Sequence, residues 1–203
     1  MPTPLVAVHR LTPERRDDFL RFFDHRCGAA FSDNPEWAKC YCHFYHVPRE
    51  IEWSSFEAAA NRTAMAARID TSEMEGFLAY AGSEVVGWLN AQPKAKLSHA
   101  YARLGVSPNA AVAPHRTALI VCFIVAPEWR RRGVARALLD GALASLAARG
   151  FTQVDAFPFK AGASSKAQDH YHGPVPLFRA TGFEVVAETD DLSVMRKRLG
   201  PRG

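Results

Sequence analysis

Three consecutive arginines, Arg130 to Arg132, come directly before Gly133, at the point where an apolar run gives way to a helical pattern. The amino end of a helix carries the positive end of its dipole, so cations there are disfavoured by about 0.3–1 kcal/mol each. An arginine cluster at this position is better explained by an anion that binds to backbone amides lacking acceptors. Gly133 lets the backbone approach that anion, and the small Ala135 keeps the first turn open. The segment predicts a polyphosphate site.

Two other interpretations of the arginine run stay open on its residues alone. It could be a solvated basic turn or a basic cluster that contacts nucleic acid, because short basic runs are not specific. The flanking elements favour the phosphate site. The apolar, β-branched run from Ala118 to Ala126 is typical of a strand buried on both faces. From Val134 the apolar residues recur at helical spacing until Gly150, which ends the helix.

This segment also carries a recognisable motif. It reads Phe123-x-Val125-x-Pro127-x-x-Arg130-x-x-Gly133-x-Ala135. The pattern resembles the coenzyme A signature of the GNAT N-acetyltransferase superfamily, and the resemblance extends more loosely from about Glu75 to the end of the chain. It implies an α/β fold with a mixed, mostly antiparallel central sheet, one splayed parallel strand pair and flanking helices.

The resemblance further implies acetyl-CoA as co-substrate and two groups of residues that bind it. The pantetheine and acetyl groups are expected on the bulged strand, at Phe123, Ile124 and Val125, with the Val125 backbone N–H as donor to the oxyanion. The pyrophosphate or the nearby 3′-phosphate is expected on the turn that follows the strand. The residues of that turn are Arg130, Arg131, Arg132, Gly133, Val134, Ala135 and Arg136.

Acetyl transfer to an amine also requires that the amine lose a proton and that the leaving thiolate gain one. Many members of the superfamily have a tyrosine acid four residues before the glycine of the C-terminal helix, and here that position is Phe178. The carboxylate base of some branches is missing between Ala118 and Ala126. Common catalytic groups are therefore absent from their usual positions.

Several nearby residues could substitute for them. Tyr171 and His172 precede the C-terminal helix, and Asp155 lies on the strand expected to splay. These three are the predicted catalytic residues, and His170 and His115 are further candidates. Attack by a free amine with positioning alone also stays open.

The segment from Trp37 to Pro48 carries the densest group of reactive side chains. Its cysteines and histidines, Cys40, Cys42, His43 and His46, could be read as metal ligands. However, Cys-x-Cys is tighter than the usual zinc spacing, and no second paired set follows. We therefore predict no metal and assign the segment to the wall of an acceptor pocket. The predicted acceptor-binding residues are Trp37, Cys40, Tyr45 and His46.

Composition limits the class of protein. The chain has 203 residues, of which 48% are apolar and 23% charged, which predicts a single domain with one core. The resemblance implies that this is an N-acetyltransferase domain over 1–203 with its cofactor-binding core at about 75–200. A net charge of +4 suits an anionic cofactor but is too mild to indicate a nucleic-acid partner. No signal-peptide pattern or membrane-spanning apolar run occurs, so we expect a cytoplasmic protein without a membrane partner. A homodimer stays open.

The remaining elements follow from local patterns. Thr12-Pro13-Glu14 is typical of a helix start, and the helix is predicted to run to about His25. Ser54 or Ser55 is predicted to cap a second helix. Residues 75–90 predict an antiparallel hairpin, 151–157 a strand parallel to the cofactor strand, and 92–116 a loop over the active site.

Together with the resemblance, these observations predict an acetyl-CoA-dependent N-acetyltransferase that acts on an amine of a small molecule or peptide. The resemblance implies direct transfer in a ternary complex. Phe178 and the missing carboxylate motivate an alternative, a coenzyme A-binding sensor or pseudoenzyme without turnover. A nucleic-acid-binding protein is disfavoured, because the arginines lack aromatic stacking partners.

Overall fold

A computed structural model describes residues 6–27, 39–107, 116–160 and 170–200 of the chain. The predicted acceptor residue Trp37 and the candidate His115 lie outside these described residues. The strands are β1 (Ala7–Arg10), β2 (Phe77–Ala81), β3 (Glu84–Pro93), β4 (Thr117–Val125), β5 (Gln153–Ala156), β6 (Glu184–Glu188) and β7 (Ser193–Arg198). They form one sheet in the order β1-β2-β3-β4-β5-β7-β6.

Neighbouring strands of the sheet pair antiparallel except β4 and β5, which are parallel. The parallel ladder begins with Thr117 opposite Gln153 and stops with Ile120 opposite Ala156. Beyond that point β4 continues to Val125 without β5 beside it. The predicted α/β fold, with a mostly antiparallel sheet and one splayed parallel pair, is confirmed.

Helices flank both faces of this sheet. They are α1 (Arg16–Arg21), continued by a π-helical segment over Phe22–Cys27, α2 (Ala58–Asp70), α3 (Ala100–Leu104), α4 (Val134–Ala148) and α5 (Val175–Arg179). Within the described ranges, none of them combines the length and apolar character needed to cross a bilayer.

The longest helix, α4, packs against one face of the sheet. Its apolar stripe is buried, because the stripe recurs at the helical spacing seen in the sequence: Val134, Leu138, Leu139, Ala142, Leu143 and Leu146. Gly87 on β3 permits this close approach, since an added Cβ would lie 3.0 Å from the Val134 side chain. The helix is thereby fixed with its amino end beside the end of β4.

The opposite face of the sheet is covered by α1, α2 and the segment 40–47. Trp88 of β3 is fully buried there and packs edge-on against Phe19, with ring centroids 4.9 Å apart. Phe23 stacks on Tyr41 at 5.4 Å. Phe19 and Phe23, on α1 and its π-helical continuation, therefore hold the 40–47 segment near the sheet.

Two predicted elements differ from the structure. The helix expected from Ser54 or Ser55 begins only at Ala58, because Phe56 takes an extended conformation and separates it from a 3-10 turn at Trp53–Ser55. The described part of the stretch 92–116, residues 92–107 and 116, is more structured than the predicted loop, since β3 extends to Pro93 and α3 follows with Tyr101 buried.

Gly76 supplies a test of this packing. An added Cβ at Gly76 would lie 2.1 Å from the buried Trp88 ring and 2.7 Å from the Leu89 carbonyl oxygen. We expect Gly76→Ala to lower the free energy of unfolding by about 3 kcal/mol, because neither neighbour can move away without repacking the core. Urea denaturation measures the change.

Gly200→Ala is the matched control, since nothing lies within 4 Å of its added Cβ. We expect it to change the free energy of unfolding by less than about 0.5 kcal/mol. Equal denaturation midpoints for the two variants would contradict the packing described for Trp88.

Candidate active site

A cavity of about 420 Å³ lies beside the part of β4 that extends past β5. Its wall is formed by the end of β4, the turn before α4 and residues from 170 to 177. Every predicted cofactor residue except Arg132 lines it: Phe123, Ile124, Val125, Arg130, Arg131, Gly133, Val134, Ala135 and Arg136. The structure therefore brings the residues of the predicted cofactor site together around one space.

The turn at one end of the cavity is shaped to bind an anion. Arg131 has a φ of 56° and Gly133 has a φ of 83°, so two nearby residues take the left-handed conformation. Gly133 is the N-cap of α4, and the first helical hydrogen bond runs from Ala137 N–H to its carbonyl at 2.9 Å. The amides of residues 134–136 precede that bond and need other acceptors. Such a concave group of N–H donors at a helix start favours an anion.

The arginines of the turn differ in their surroundings. Arg130 Nε donates to the Val125 carbonyl at 3.2 Å, and Arg136 pairs with Asp140 at 2.6 Å. The Arg132 guanidinium lies over the Trp129 ring, 5.7 Å from its centroid, outside the cavity wall. Of the arginines predicted as one group, Arg130, Arg131 and Arg136 therefore line the cavity.

The exposed edge of β4 forms the other end of the cavity. The ladder between β3 and β4 shifts register between Cys122 and Ile120, so Val121 is the extra residue of a bulge. Phe123 N–H then donates to the Tyr171 carbonyl at 2.5 Å. Val125 lies two residues further along the strand, so its backbone N–H points to the same edge. A donor is thus directed at the space that β5 leaves.

Tyr171 and His172 lie in a tight turn against this edge of β4. The turn closes through Gly173 N–H and the His170 carbonyl at 2.8 Å. Gly173 has a φ of 85°, and an added Cβ would lie 3.0 Å from the Phe123 ring and 2.9 Å from the Phe178 ring. Tyr171 lines the cavity, whereas His172 lies behind it, with the two ring centroids 4.3 Å apart.

Two of the predicted residues meet at His172. Its Nε2 lies 3.1 Å from the Tyr45 hydroxyl, and its Nδ1 is buried without a recorded hydrogen-bond partner. Burial lowers the pKa of His172 to about 3, so the imidazole is neutral at physiological pH. The predicted catalytic histidine and the predicted acceptor residue Tyr45 therefore form a buried pair that supports Tyr171.

Asp155 is placed in a structural ion pair rather than in the cavity. It is fully buried, and its oxygens accept from Arg196 Nε at 2.8 Å and Nη2 at 2.9 Å. Its partner reaches it from the neighbouring strand β7, opposite it in the antiparallel register. A carboxylate held in this way fixes β5 to β7 and does not line the cavity.

The 40–47 segment is more enclosed than an acceptor wall would be. Tyr45 and His46 are buried, and burial, followed by the charge of Arg68, lowers the pKa of His46 to about 3. Cys40 is half-buried, and none of these three residues lines the cavity. Across the described ranges, no three His, Cys, Asp or Glu side chains are grouped so as to hold a metal ion.

The model of the acetyltransferase (GNAT) family matches residues 45–169, more than half of the chain. The chain belongs to this family. No curated protein matches it by sequence. The matched range contains the bulged end of β4, the turn and all of α4, and the predicted resemblance to the GNAT superfamily is confirmed.

Solved structures share the GNAT fold at low sequence identity. The PaiA N-acetyltransferase of Thermoplasma acidophilum, in complex with coenzyme A, has a TM-score of 0.58 and 11% identity over 96% of this chain and 99% of its own. YncA of Salmonella typhimurium, with acetyl-CoA, has a TM-score of 0.53 and 13% identity over 97% and 95%. The ribosomal-protein-S18-alanine N-acetyltransferase of Escherichia coli has a TM-score of 0.52 and 14% identity over 98% and 97%.

Some residues that line the cavity of this GNAT protein were not predicted. They are Trp129, Gly173, Pro174 and Leu177. Gly173-Pro174 is a turn signal directly before α5, and it could have indicated that the chain comes close to another element there. Trp129 and Leu177 carry no comparable signal, because their exposure to the cavity depends on tertiary packing.

The two buried histidines predict a pH dependence of stability. His46 and His172 have pKa values of about 3 in the folded protein, against about 6.5 when unfolded. Between these pH values the unfolded chain binds more protons, so the free energy of unfolding falls as the pH falls below about 6.5. Each histidine contributes a slope of up to about 1.4 kcal/mol per pH unit.

Denaturation at a series of pH values tests this effect. We expect the free energy of unfolding of His172→Gln to fall less steeply below pH ~6.5 than that of the wild type, with the slope reduced by close to one bound proton. His9→Gln, at an exposed position, is the control and should keep the wild-type slope. Equal slopes of the free energy of unfolding against pH for His172→Gln and the wild type would contradict a neutral, buried His172.

Proposed function

We propose that this protein is an acetyl-CoA-dependent N-acetyltransferase that transfers an acetyl group directly to an amine of a small molecule or peptide in a ternary complex. One observation carries the proposal. A single cavity joins an anion-binding turn, Arg130 to Arg136, to the exposed edge of β4 at Val125. The coenzyme A in PaiA and the acetyl-CoA in YncA support this choice of donor.

The residues present fit such a donor. In the proposed complex the amides of residues 134–136 and the Arg131 side chain bind the pyrophosphate, and Arg136 binds either this group or the 3′-phosphate. The pantetheine arm follows β4 past Phe123 and Ile124, which line the cavity. The acetyl carbonyl then accepts from the Val125 N–H, whose donation strengthens as the oxygen gains charge.

In the proposed reaction the neutral amine attacks the acetyl carbonyl carbon and the carbon–sulfur bond breaks. The thiolate takes a proton from the Tyr171 hydroxyl, and the new amide releases its extra proton to solvent. Tyr171 is the proposed acid because it lines the cavity, whereas Phe178, at the position usual for the family, is fully buried and has no proton to give. We assign His172 a positioning role, since it is buried behind Tyr171.

We infer a cytoplasmic location for the same protein. Among the described residues, Cys40, Cys42 and Cys122 are thiols that form no disulfide. Free thiols suit a reducing compartment.

The anion site is tested by two glycines at opposite ends of α4. Gly133 has a φ of 83° and Gly150 a φ of 82°, so alanine at either position costs about 1–2 kcal/mol of stability. Only Gly133 lines the cavity. We expect Gly133→Ala to weaken acetyl-CoA binding about tenfold or more, the equivalent of 1.4 kcal/mol, while Gly150→Ala leaves it unchanged.

Isothermal titration calorimetry with acetyl-CoA measures both affinities. Comparable losses of acetyl-CoA affinity in the two glycine variants would show that lowered stability, rather than a change in the Gly133 turn, weakens binding. Failure of the wild-type protein to bind acetyl-CoA would overturn the proposed donor.

The role of Tyr171 is tested by removing its hydroxyl. We expect Tyr171→Phe to lower kcat about 100-fold, because an acid contributes roughly this factor, and to leave the acetyl-CoA dissociation constant unchanged. Release of the coenzyme A thiol, measured over a panel of amines, gives the rate. The control is Tyr80→Phe, which removes a hydroxyl that donates to Asp18 at 2.9 Å, outside the cavity wall. Full turnover by Tyr171→Phe would remove the residue from the mechanism.

The buried Phe178 motivates a second candidate function, that of a coenzyme A-binding sensor without turnover. It packs edge-on against Phe123, with ring centroids 5.9 Å apart, and fills the place where a catalytic hydroxyl is usual. The same amine panel separates the two functions. Tight acetyl-CoA binding without thiol release for any amine would favour the sensor.

A further inference from the structure

A group of buried polar side chains lies on the sheet face opposite α4, apart from the cofactor cavity. Asn90 of β3 stands opposite Cys122 of β4 in the antiparallel register, and Trp88 stands opposite Ile124. The Cys42 thiol lies over this patch, and Cys42, Trp88 and Asn90 are each at most 2% exposed. The proposed acetyl transfer uses none of these side chains.

Hydrogen-bond donors converge on the Cys42 sulfur. The Trp88 indole N–H, which can only donate, lies 3.1 Å from it. The Cys122 thiol and the Asn90 side chain also interact with Cys42, and both act to lower the pKa of its thiol. A sulfur that accepts from an indole and lies beside an amide and a second thiol is placed as a thiolate would be, because an anion is the group that benefits from several donors.

The orientation of Asn90 follows from a chain of bonds that begins at the backbone. Glu75 N–H can only donate, and it lies 3.3 Å from Gln92 Oε1, which fixes that side-chain amide. Gln92 Nε2 then donates to Asn90 Oδ1 at 2.8 Å, so the NH₂ group of Asn90 must point the other way. Asn90 Nδ2 is buried without a hydrogen-bond partner of ordinary geometry, and its interaction with Cys42 lowers the pKa of that thiol.

The neighbouring Cys40 shows how specific this environment is. Burial raises the pKa of the Cys40 thiol to about 12. Burial also acts to raise the pKa of Cys42, but hydrogen bonds from Cys122, Trp88 and Asn90 outweigh it and lower the pKa below its usual value. The thiol pKa values of these two cysteines, separated by one residue, thus shift in opposite directions.

We propose that Cys42 and Cys122 are a redox-active dithiol, a modification site at which a hydroperoxide converts the pair to a disulfide. The Cys42 thiolate attacks the peroxide, which gives a sulfenic acid and releases hydroxide. The Cys122 thiol then attacks the sulfenic sulfur, so the S–S bond forms and water leaves. Two electrons pass from the two sulfurs to one peroxide.

The position of the pair links this modification to the cofactor strand. Cys122 directly precedes Phe123, which lines the cavity, and Cys42 lies three residues before Tyr45, which bonds to His172. A disulfide would therefore tie the 40–47 segment to β4 covalently. Because the readouts below do not depend on acetyl transfer, they test the dithiol independently of the proposed enzyme activity.

Peptide mapping after oxidation is the decisive experiment. The reduced full-length protein is treated with hydrogen peroxide, its remaining thiols are blocked, and it is digested without reductant. We expect a peptide pair joined through Cys42 and Cys122 that dithiothreitol separates. In Cys122→Ser, oxidation should stop at the sulfenic or higher acids of Cys42. Cys40→Ser is the matched control and should form the same disulfide as the wild type.

A further variant changes the environment of the sulfur without removing either cysteine. Asn90→Ala deletes one donor to Cys42, and we expect peroxide to form the disulfide several-fold more slowly, with the fold checked by circular dichroism. A disulfide through Cys40, persistence of both thiols under conditions that oxidise glutathione, or an unchanged rate in folded Asn90→Ala would overturn the proposal.

Discussion

The site depends on a single change of partner along β4. Its first residues pair with β5, and the ladder stops at Ile120 and Ala156. Three residues later the backbone N–H of Phe123 donates to the Tyr171 carbonyl instead. A buried strand cannot leave its amides without acceptors. The 170–173 turn therefore accepts a hydrogen bond from part of the β4 edge that β5 does not pair with, and the rest of that edge faces the cavity.

The two ends of the cavity come from different physical sources. At the turn before α4, left-handed backbone at Arg131 and Gly133 presents amides and the helix dipole to an anion. At β4, strand geometry presents the Val125 amide to the acetyl carbonyl of the proposed donor. Both ends use main-chain donors, whose positions are fixed by the packing of α4 on the sheet. Neither of these donors depends on the identity of one side chain.

Local patterns made the core of the site predictable, since strand, turn and helix are contiguous between Ala118 and Gly150. The observed surroundings of Asp155 and His172 depend on partners distant in sequence, and no local pattern revealed these partners. Arg196 forms an ion pair with Asp155, and the Tyr45 hydroxyl hydrogen-bonds to His172. The 40–47 segment was recognised as chemically dense, but its burial beneath α1 and α2 came from aromatic packing that spacing does not encode.

The packing around Gly173 limits the positions at which a proton donor could reach the cavity. It touches the rings of both Phe123 and Phe178, so the Tyr171 turn and α5 share one tightly filled interface. Adding a hydroxyl to Phe178 would place it among apolar rings rather than in the cavity, at the cost of an unpartnered polar group. With Tyr171 as the proposed acid, one substitution at position 178 would therefore add no second proton donor to the cavity.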